Sequence, residues 1–304
     1  MQKIVTIGGG TGHYQTLRGL KSFDCDLTAI VNVADNGGHS GELRDEYGVL
    51  PPGDSRQCLL ALADEGSEAR DLFEYRFENG ESLGNLNITV LEKKHGRAEG
   101  IKRAAKLLKT VGKVVYVSLD DFHIFAKLEN GEVLEGQNEV SYSDSGSKII
   151  ELYAKPKPFV YREAADSIRQ ANKIVICPGD LYGSIIPNFL VEGLTDAIKE
   201  SKARLIYACN IVTKQGTYGY KASDFVNEIE RYLRATLDAI IVNTKKPSEE
   251  TLRMYLDEKS EIVEDNLGDD ARVLRADLAE EYPSKINTIF RHNPKELARI
   301  IMNC

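Results

Sequence analysis

The sequence predicts an α/β fold: a doubly wound, mostly parallel sheet with helices on both faces and a small β-rich insertion. Three observations predict it. Six short apolar runs rich in β-branched residues recur along the chain, helical patterns lie between most of them, and a glycine-rich turn directly follows the first run. Short strands that are apolar throughout are those covered on both faces. Their alternation with helices is the signature of a doubly wound parallel sheet.

"KIVTI" (3–7) reads as the first strand and "TGHYQTLRGLKSF" as the helix after it. "LTAIVNV" (27–33) is the second strand. A polar, loop-like run from Val33 to Arg56 follows and leads into the helical "DSRQCLLALADE". "KVVYVSL" (113–119) is the third strand. The interval from about 118 to 155 departs from the alternation. There "FHIFAKLENGEVLEGQNEV" holds Asn130-Gly131, a hairpin dipeptide, and "SKIIELYAKPKP" reads as another strand. We read it as an insertion in one domain spanning 1–304, since no Ser- or Pro-rich linker and no repeat appears. The alternation then resumes with helical "FVYREAADSIRQA" and the strand "KIVIC" (173–177). "IPNFLVEGLTDAIKES" carries a proline near its first helical turn. The strand "RLIYAC" (204–209), the helix "SDFVNEIERYLRA" with Ser223 as N-cap, and the strand "DAIIVN" (238–243) complete the pattern.

Composition narrows the function. The 304 residues are 42% hydrophobic, with a mean hydropathy of −0.32. No run approaches the ~18 apolar residues of a membrane span, and the N-terminus enters "KIVTI" with no leader-like pattern. The five cysteines are scattered and none forms a C-x-x-C pair, which fits reduced thiols and a cytoplasmic location. A net charge of −8 with no basic run argues against duplex nucleic acid as a partner. A small anion remains open, because local donors rather than net charge bind it.

Two strand–loop–helix junctions carry the candidate site. After the first strand, Gly9, Gly10, Thr11 and Gly12 offer close backbone approach and a helix N-terminus, the makings of a phosphate site. The spacing is neither the G-x-x-x-x-G-K-[ST] P-loop nor G-x-G-x-x-G, since His13 stands where each needs glycine. Asp35 and Asn36 end the second strand, on the carboxyl edge where open α/β sheets bind ligands, so an NAD-type reading stays open. Gly38 and Ser40 offer a main-chain donor and a hydroxyl. Arg44 can grip a phosphate or pair with Asp45 or Glu46 at the surface. Asp54 is a ligand contact or an N-cap, and Arg56 lies in the first turn of the same helix.

The second junction is "ICPGDLYGSIIPNF". Gly179, Asp180 and Leu181 supply backbone, Ser184 a hydroxyl, and Tyr182 a face for a base unless it packs. Asn188 contacts ligand or caps. Asn210 and Thr213 end the next strand with neutral hydrogen-bonding groups. The histidines show no metal-binding spacing, Asp120-Asp121-Phe122-His123 reads as a polar turn, and Cys177 as an inert core thiol.

"GGGTG", "VNVADNGGHSGELRDEYGVLPPGDSRQCLLALA", "SLGNL", "CPGDLYGSIIPNFLVEG", "CNIVTKQGTYGY" and "RHNPKELA" resemble, in order, the landmarks of the YvcK-like gluconeogenesis factors. These stand within the superfamily of the CofD 2-phospho-L-lactate transferases. The resemblance implies a Rossmann-like fold and Asn85 as a further ligand contact. The YvcK branch implies binding of a nucleotide-sugar such as UDP-N-acetylglucosamine and a cytoplasmic role in gluconeogenic growth and cell shape; we favour a regulatory, non-catalytic binder and expect a homo-oligomer. The CofD branch implies transfer of a phospholactyl group from a guanosine-linked donor, with a divalent metal such as Mg2+. The chain departs from the pattern in having Asn36 beside Asp35 where two aspartates are usual, His39-Ser40 for a serine pair, and Glu42 for a basic residue. Cys177 and Asp180 stand where Gly and Ser are favoured, and "VTKQGTYGY" lacks the expected Pro and Glu. A metal prefers the missing carboxylate, which favours binding over metal-assisted transfer.

Overall fold

The computed structural model describes residues 1–143, 145–283 and 288–304. The strands are β1 (Gln2–Gly8), β2 (Cys25–Val31), β3 (Lys113–Tyr116), β4 (His123–Leu128), β5 (Val133–Glu135), β6 (Ile149–Lys155), β7 (Lys173–Ile176), β8 (Arg204–Ala208), β9 (Ala239–Asn243), β10 (Val273–Ala276), β11 (Ala279–Pro283) and β12 (Thr288–His292). The helices are α1 (Gly10–Leu20), α2 (Gly38–Tyr47), α3 (Pro52–Leu62), α4 (Glu68–Glu74), α5 (Leu83–His95), α6 (Arg97–Leu107), α7 (Gly136–Tyr142), α8 (Arg162–Arg169), α9 (Ile186–Phe189), α10 (Leu194–Glu200), α11 (Ala222–Leu233), α12 (Glu249–Asp257) and α13 (Pro294–Asn303). Among the described residues no helix is long and apolar enough to cross a membrane.

Seven strands form one sheet in the order β10-β9-β8-β7-β1-β2-β3, and every neighbouring pair is parallel. The chain winds outward from β1 to β3, crosses the insertion, and returns beside β1 to wind the other way. The order reverses between β1 and β7, so their carboxyl ends open the crevice where such sheets hold ligands. The strands there are fully covered: Ile4 to Gly8 and all of Lys173–Ile176 are buried. That is why these segments read as unbroken apolar runs rather than alternating ones.

All six expected strands are present, and the Asn130-Gly131 hairpin joins β4 to β5 in a three-stranded antiparallel sheet, β5-β4-β6. Other expectations are corrected. The loop-like run Val33–Arg56 contains α2, ended by Gly48 in the left-handed region at φ 65°; its glycines and acids mask a ten-residue helix. The helix expected over "IPNFLVEGLTDAIKES" is two, α9 and α10, interrupted at Leu190–Gly193. Ser223 lies inside α11, whose N-cap is Lys221, and the carboxylate accepting the Lys221 N–H is Asp224. The insertion also holds the helix α7, and the edge strand β10 and the antiparallel pair β11 and β12 were not expected.

Candidate functional site

The glycine run lets two chain segments touch. Gly9 caps α1 with extended backbone. A Cβ on Gly9 would overlap the Asp54 carboxylate, 3.1 Å from its Cγ. A Cβ on Gly12 would overlap the Pro178 carbonyl, 2.6 Å from its carbon. These contacts seat the start of α1 against α3 on one side and the β7 loop on the other. The β7 loop runs into a π-type turn, Leu181–Ile185, in which both Ser184 and Ile185 donate to the Asp180 carbonyl (2.8 and 3.0 Å). Such turns displace one residue outward and often mark functional sites.

A two-lobed cleft opens over the β1 and β7 ends. The first lobe, about 360 Å³, is lined by Gly10, Thr11, Gly12 and Gln15 of α1, by Gly179, Asp180 and Ser184, and by Asn210, Thr213 and Lys214 after β8. Ile211, Val212, Tyr255 and Phe290 make its apolar end, with Arg291 and His292 beside them. The second lobe, about 310 Å³, is lined by Asn32, Asp35, Gly37, Gly38, Asp54, Gln137, Asn138 and Tyr142. Gly10 and Ser184 line both.

The electrostatics concentrate where the lobes meet. Asp54 is at the third position of α3, after an N-cap at Pro51, so it does not cap its own helix. It instead accepts the Gly10 N–H at 2.8 Å, placing a carboxylate at the positive end of α1. Burial, reinforced by the nearby charges of Asp35 and Asp180 and opposed by the Gly10 N–H and Lys214, pushes the Asp54 carboxyl up to about 7. Burial raises Asp35 too, against the Gly37 N–H and Arg44. Asp180 accepts the Gly183 N–H at 3.0 Å and pairs with Lys214 at 3.3 Å. Partial burial pulls the Lys214 ammonium down, but Asp180, Tyr142 and Asp54 more than offset it, so its pKa rises and it stays charged.

An acid raised by burial destabilises the fold once ionised. Asp54 contributes its full stability below its ordinary value of 3.8 and loses it as pH rises toward about 7. Asp54→Asn, which keeps an acceptor for Gly10, is expected to gain a few kcal/mol over wild type at pH 8 and almost nothing at pH 4. Urea unfolding at both pH values measures it; equal gains at the two would show that Asp54 does not titrate there. Glu92, buried beneath Tyr116 and likewise pushed up to about 7 by burial, contributes the same slope to both proteins and cancels in the difference.

Of the expected contacts, Gly10, Thr11, Gly12, Asp35, Gly38, Asp54, Gly179, Asp180, Ser184, Asn210 and Thr213 line the cleft, and Gly9 backs it. Asn210 also staples the β7 loop, donating to the Gly179 carbonyl at 2.5 Å, and Thr213 accepts the Glu261 N–H at 2.9 Å. Others do not reach it. Arg44 is 2% exposed, and its guanidinium is engaged by Asp121 and by the Phe122 and Asp35 carbonyls. It therefore holds the Asp35 loop from beneath, in place of a phosphate contact or a surface pair with Asp45 or Glu46. Asn36 accepts the Asn138 N–H at 2.9 Å and fastens the loop to α7. Ser40 tucks under Gly53. Arg56 and Asn85 bond each other at 2.9 Å, and neither lines the lobes.

Tyr182 packs rather than presenting a face to a base: it is 1% exposed and its hydroxyl meets Tyr220 and Glu228. Leu181 is core. Asn188 neither caps nor faces ligand; it bonds back to the Ser184 and Ile185 carbonyls. Asp120 and Asp121 hold the Phe159 N–H and Arg44, as a polar turn does. Cys177 is a buried thiol pushed up to about 12 by burial. Sequence reasoning missed Gln15, Tyr142, Lys214, Arg291 and His292. The only signal for Lys214 and for the last two was their place in the landmark segments "CNIVTKQG" and "RHNP".

Mg2+, implied by the transferase branch, finds no all-protein cage among the described residues. Asp35 and Asp54 each commit an oxygen to a backbone N–H, Asn36 is turned to α7, and Lys214 already balances the acids. Among the described residues no three Asp, Glu, His or Cys side chains converge on one point.

The family model described as "2-phospho-L-lactate transferase CofD" matches residues 4–281. The chain is 41% identical to the "Putative gluconeogenesis factor" of Thermotoga maritima over 98% of both chains. It is 33% identical to the "Gluconeogenesis factor" of Bacillus subtilis, over 99% of this chain and 97% of that protein. The crystal structure of protein BH3568 from Bacillus halodurans superposes with a TM-score of 0.93 at 37% identity, covering 99% of each chain. With that coverage, the parallel sheet and the ordered landmarks, the chain belongs to the YvcK-like gluconeogenesis factors within the CofD family.

Proposed function

We propose that the cleft binds a nucleotide-sugar of the UDP-N-acetylglucosamine type and that the protein acts through this binding as a regulatory factor in gluconeogenic growth and cell shape. One observation carries the reading: the N-terminus of α1 and Ser184 stand at the join of two lobes of different chemistry, and the Lys214 ammonium lies beside them in the first lobe, paired with Asp180. A diphosphate suits the join, since helix N–H groups and a lysine favour anions. A base suits the apolar end with Tyr255 and Phe290. A sugar suits the second lobe, where Asp35, Asp54, Gln137 and Asn138 offer acceptors to its hydroxyls.

Calorimetry with UDP-N-acetylglucosamine, NAD and GTP, each with and without magnesium, tests it. The UDP-sugar is expected to bind in the micromolar range whether or not magnesium is present. No heat with UDP-sugars alongside binding of NAD would replace this reading with the dinucleotide one. A transferase reading has one support in the structure, the Asp54 carboxyl near neutrality in the second lobe. Turnover of a phospholactyl donor would establish it.

A further inference from the structure

Arg56 is a buried cation without a counter-charge. It is 7% exposed. Its Nε donates to Asn85 Oδ1 at 2.9 Å and its Nη1 to the Phe73 carbonyl at 3.4 Å, and both acceptors are neutral. Among the described residues no carboxylate pairs with it. Glu74, the acid whose charge reaches it, is committed to Arg70 at 2.7 Å. Taking a guanidinium out of water without a partner charge is costly, so buried arginines are normally paired. The third nitrogen, Nη2, has no partner in the protein, yet it is not one of the polar atoms shut off from solvent. It is an open donor at the end of a buried side chain.

The surroundings share its sign. Arg56 lies against the first turn of α5: a Cβ on Gly84 would come 2.7 Å from Arg56 Cδ, so glycine there makes room for the side chain. Ser82 caps that helix, its hydroxyl accepting the Asn85 N–H at 3.3 Å. The thirteen-residue α5 thus brings its positive end beside the guanidinium. A second arginine stands at the same place. Arg76 is exposed and joins Ser82 in an antiparallel β-bridge. It donates to the Gly80 carbonyl at 3.0 Å and pairs with no acid among the described residues. Burial first, and then the charge of Arg76, pull the Arg56 guanidinium down to about 10. Two mutually repelling arginines at a helix N-terminus suit a ligand with negative charge and several acceptors. A phosphoryl group has both, and its oxygens match the guanidinium fork and the helix N–H groups.

We propose that Arg56, Arg76 and the N-terminus of α5 form a second anion site that takes a phosphoryl group, as free phosphate or on a phosphorylated side chain. The site is separate from the cleft, since Arg56 lines neither lobe, and it does not depend on the nucleotide reading. α3 nevertheless joins the two: it carries Asp54 to the second lobe and Arg56 to this site.

Thermal unfolding of the full chain tests it, with sodium phosphate replacing sodium chloride at constant ionic strength. The midpoint rises as the folded state is occupied. The background is Lys214→Met, which removes the Lys214 ammonium from the cleft, so that phosphate held there does not mask the site. Its midpoint is expected to rise with millimolar phosphate. Adding Arg76→Gln, at an exposed position, should demand at least tenfold more phosphate for the same rise, and Arg56→Gln should do likewise. Arg76→Gln alone decides the matter if Arg56→Gln does not fold. A rise that Lys214→Met already lacks overturns the inference. So does a rise that Arg76→Gln keeps in full, which is then the general stabilisation by phosphate salts. A phosphoserine tripeptide and its unphosphorylated form separate the two sources. Tighter binding of the phosphopeptide than of phosphate, lost in Arg76→Gln, assigns the group to a protein partner; the reverse order, with the same loss, assigns it to free phosphate.

Discussion

Gly12→Ala is expected to cost about 3 kcal/mol or more, to lower the melting temperature by on the order of 10 °C, and to abolish ligand binding. The reason is contact between two backbones. The added Cβ would sit 2.6 Å from the Pro178 carbonyl carbon and overlap its oxygen. No flexible side chain can move aside, so α1 and the β7 loop must separate. These are two walls of the cleft, so stability and binding should fall together. Gly179→Ala, in the same cleft, is the control. Its Cβ would come no nearer than 3.4 Å to another atom, an ordinary contact, and the melting temperature should hold. Thermal scans of both variants decide it; an unshifted Gly12→Ala would mean that the two segments do not close on each other.

The second large effect belongs to Lys214. Lys214→Met should weaken nucleotide-diphosphate binding by at least 100-fold, about 2.7 kcal/mol, with a small effect on stability. Its side chain is 48% exposed and its ion pair with Asp180 is 3.3 Å long, so the pair itself adds little to folding. Binding is different. The charges of Asp35 and Asp180 both act on Asp54, and on the proposed reading Lys214 is a cation that lets a diphosphate approach them. Its loss also removes a group that holds the Asp54 carboxyl down, so the pH at which Asp54 ionises should rise. Titration calorimetry over a range of salt measures the first part and over a range of pH the second. Unchanged affinity with an unchanged salt slope would place the phosphates elsewhere.

Much of the frame was legible in the sequence, for a physical reason. A strand buried on both faces has to be apolar at every position, and the segments around Ile4, Ile30, Ile174, Ile206 and Ile240 say so without ambiguity. The two loops that line the cleft were legible because they follow such strands at the sheet's carboxyl edge. β10, "VLRA", was not: it is an edge strand, half-exposed and interrupted by Arg275, so it lacks the buried pattern. α2 was hidden by glycines and charges that suit a loop equally well. The site's polar residues were legible as a set but not in their roles. Arg44, Tyr182 and Asn188 have the chemistry of ligand contacts, and only packing shows that their donors serve the protein. Asp54 has the spacing of an N-cap, yet it serves another helix. His292 and Lys214 come from segments remote in sequence from the glycine loop, and no local pattern announces that they return to it.

The bond that Asn36 accepts from the backbone of α7 has a consequence for how the second lobe is built. It means that the far wall of the second lobe is supplied by the insertion, through Gln137, Asn138 and Tyr142, while the near wall belongs to the sheet. The two walls of the lobe are therefore encoded in separate stretches of chain. Exchange of the insertion is expected to reshape the far wall while leaving the near wall in place, and the bond that Asn36 accepts from Asn138 is where the two stretches are coupled.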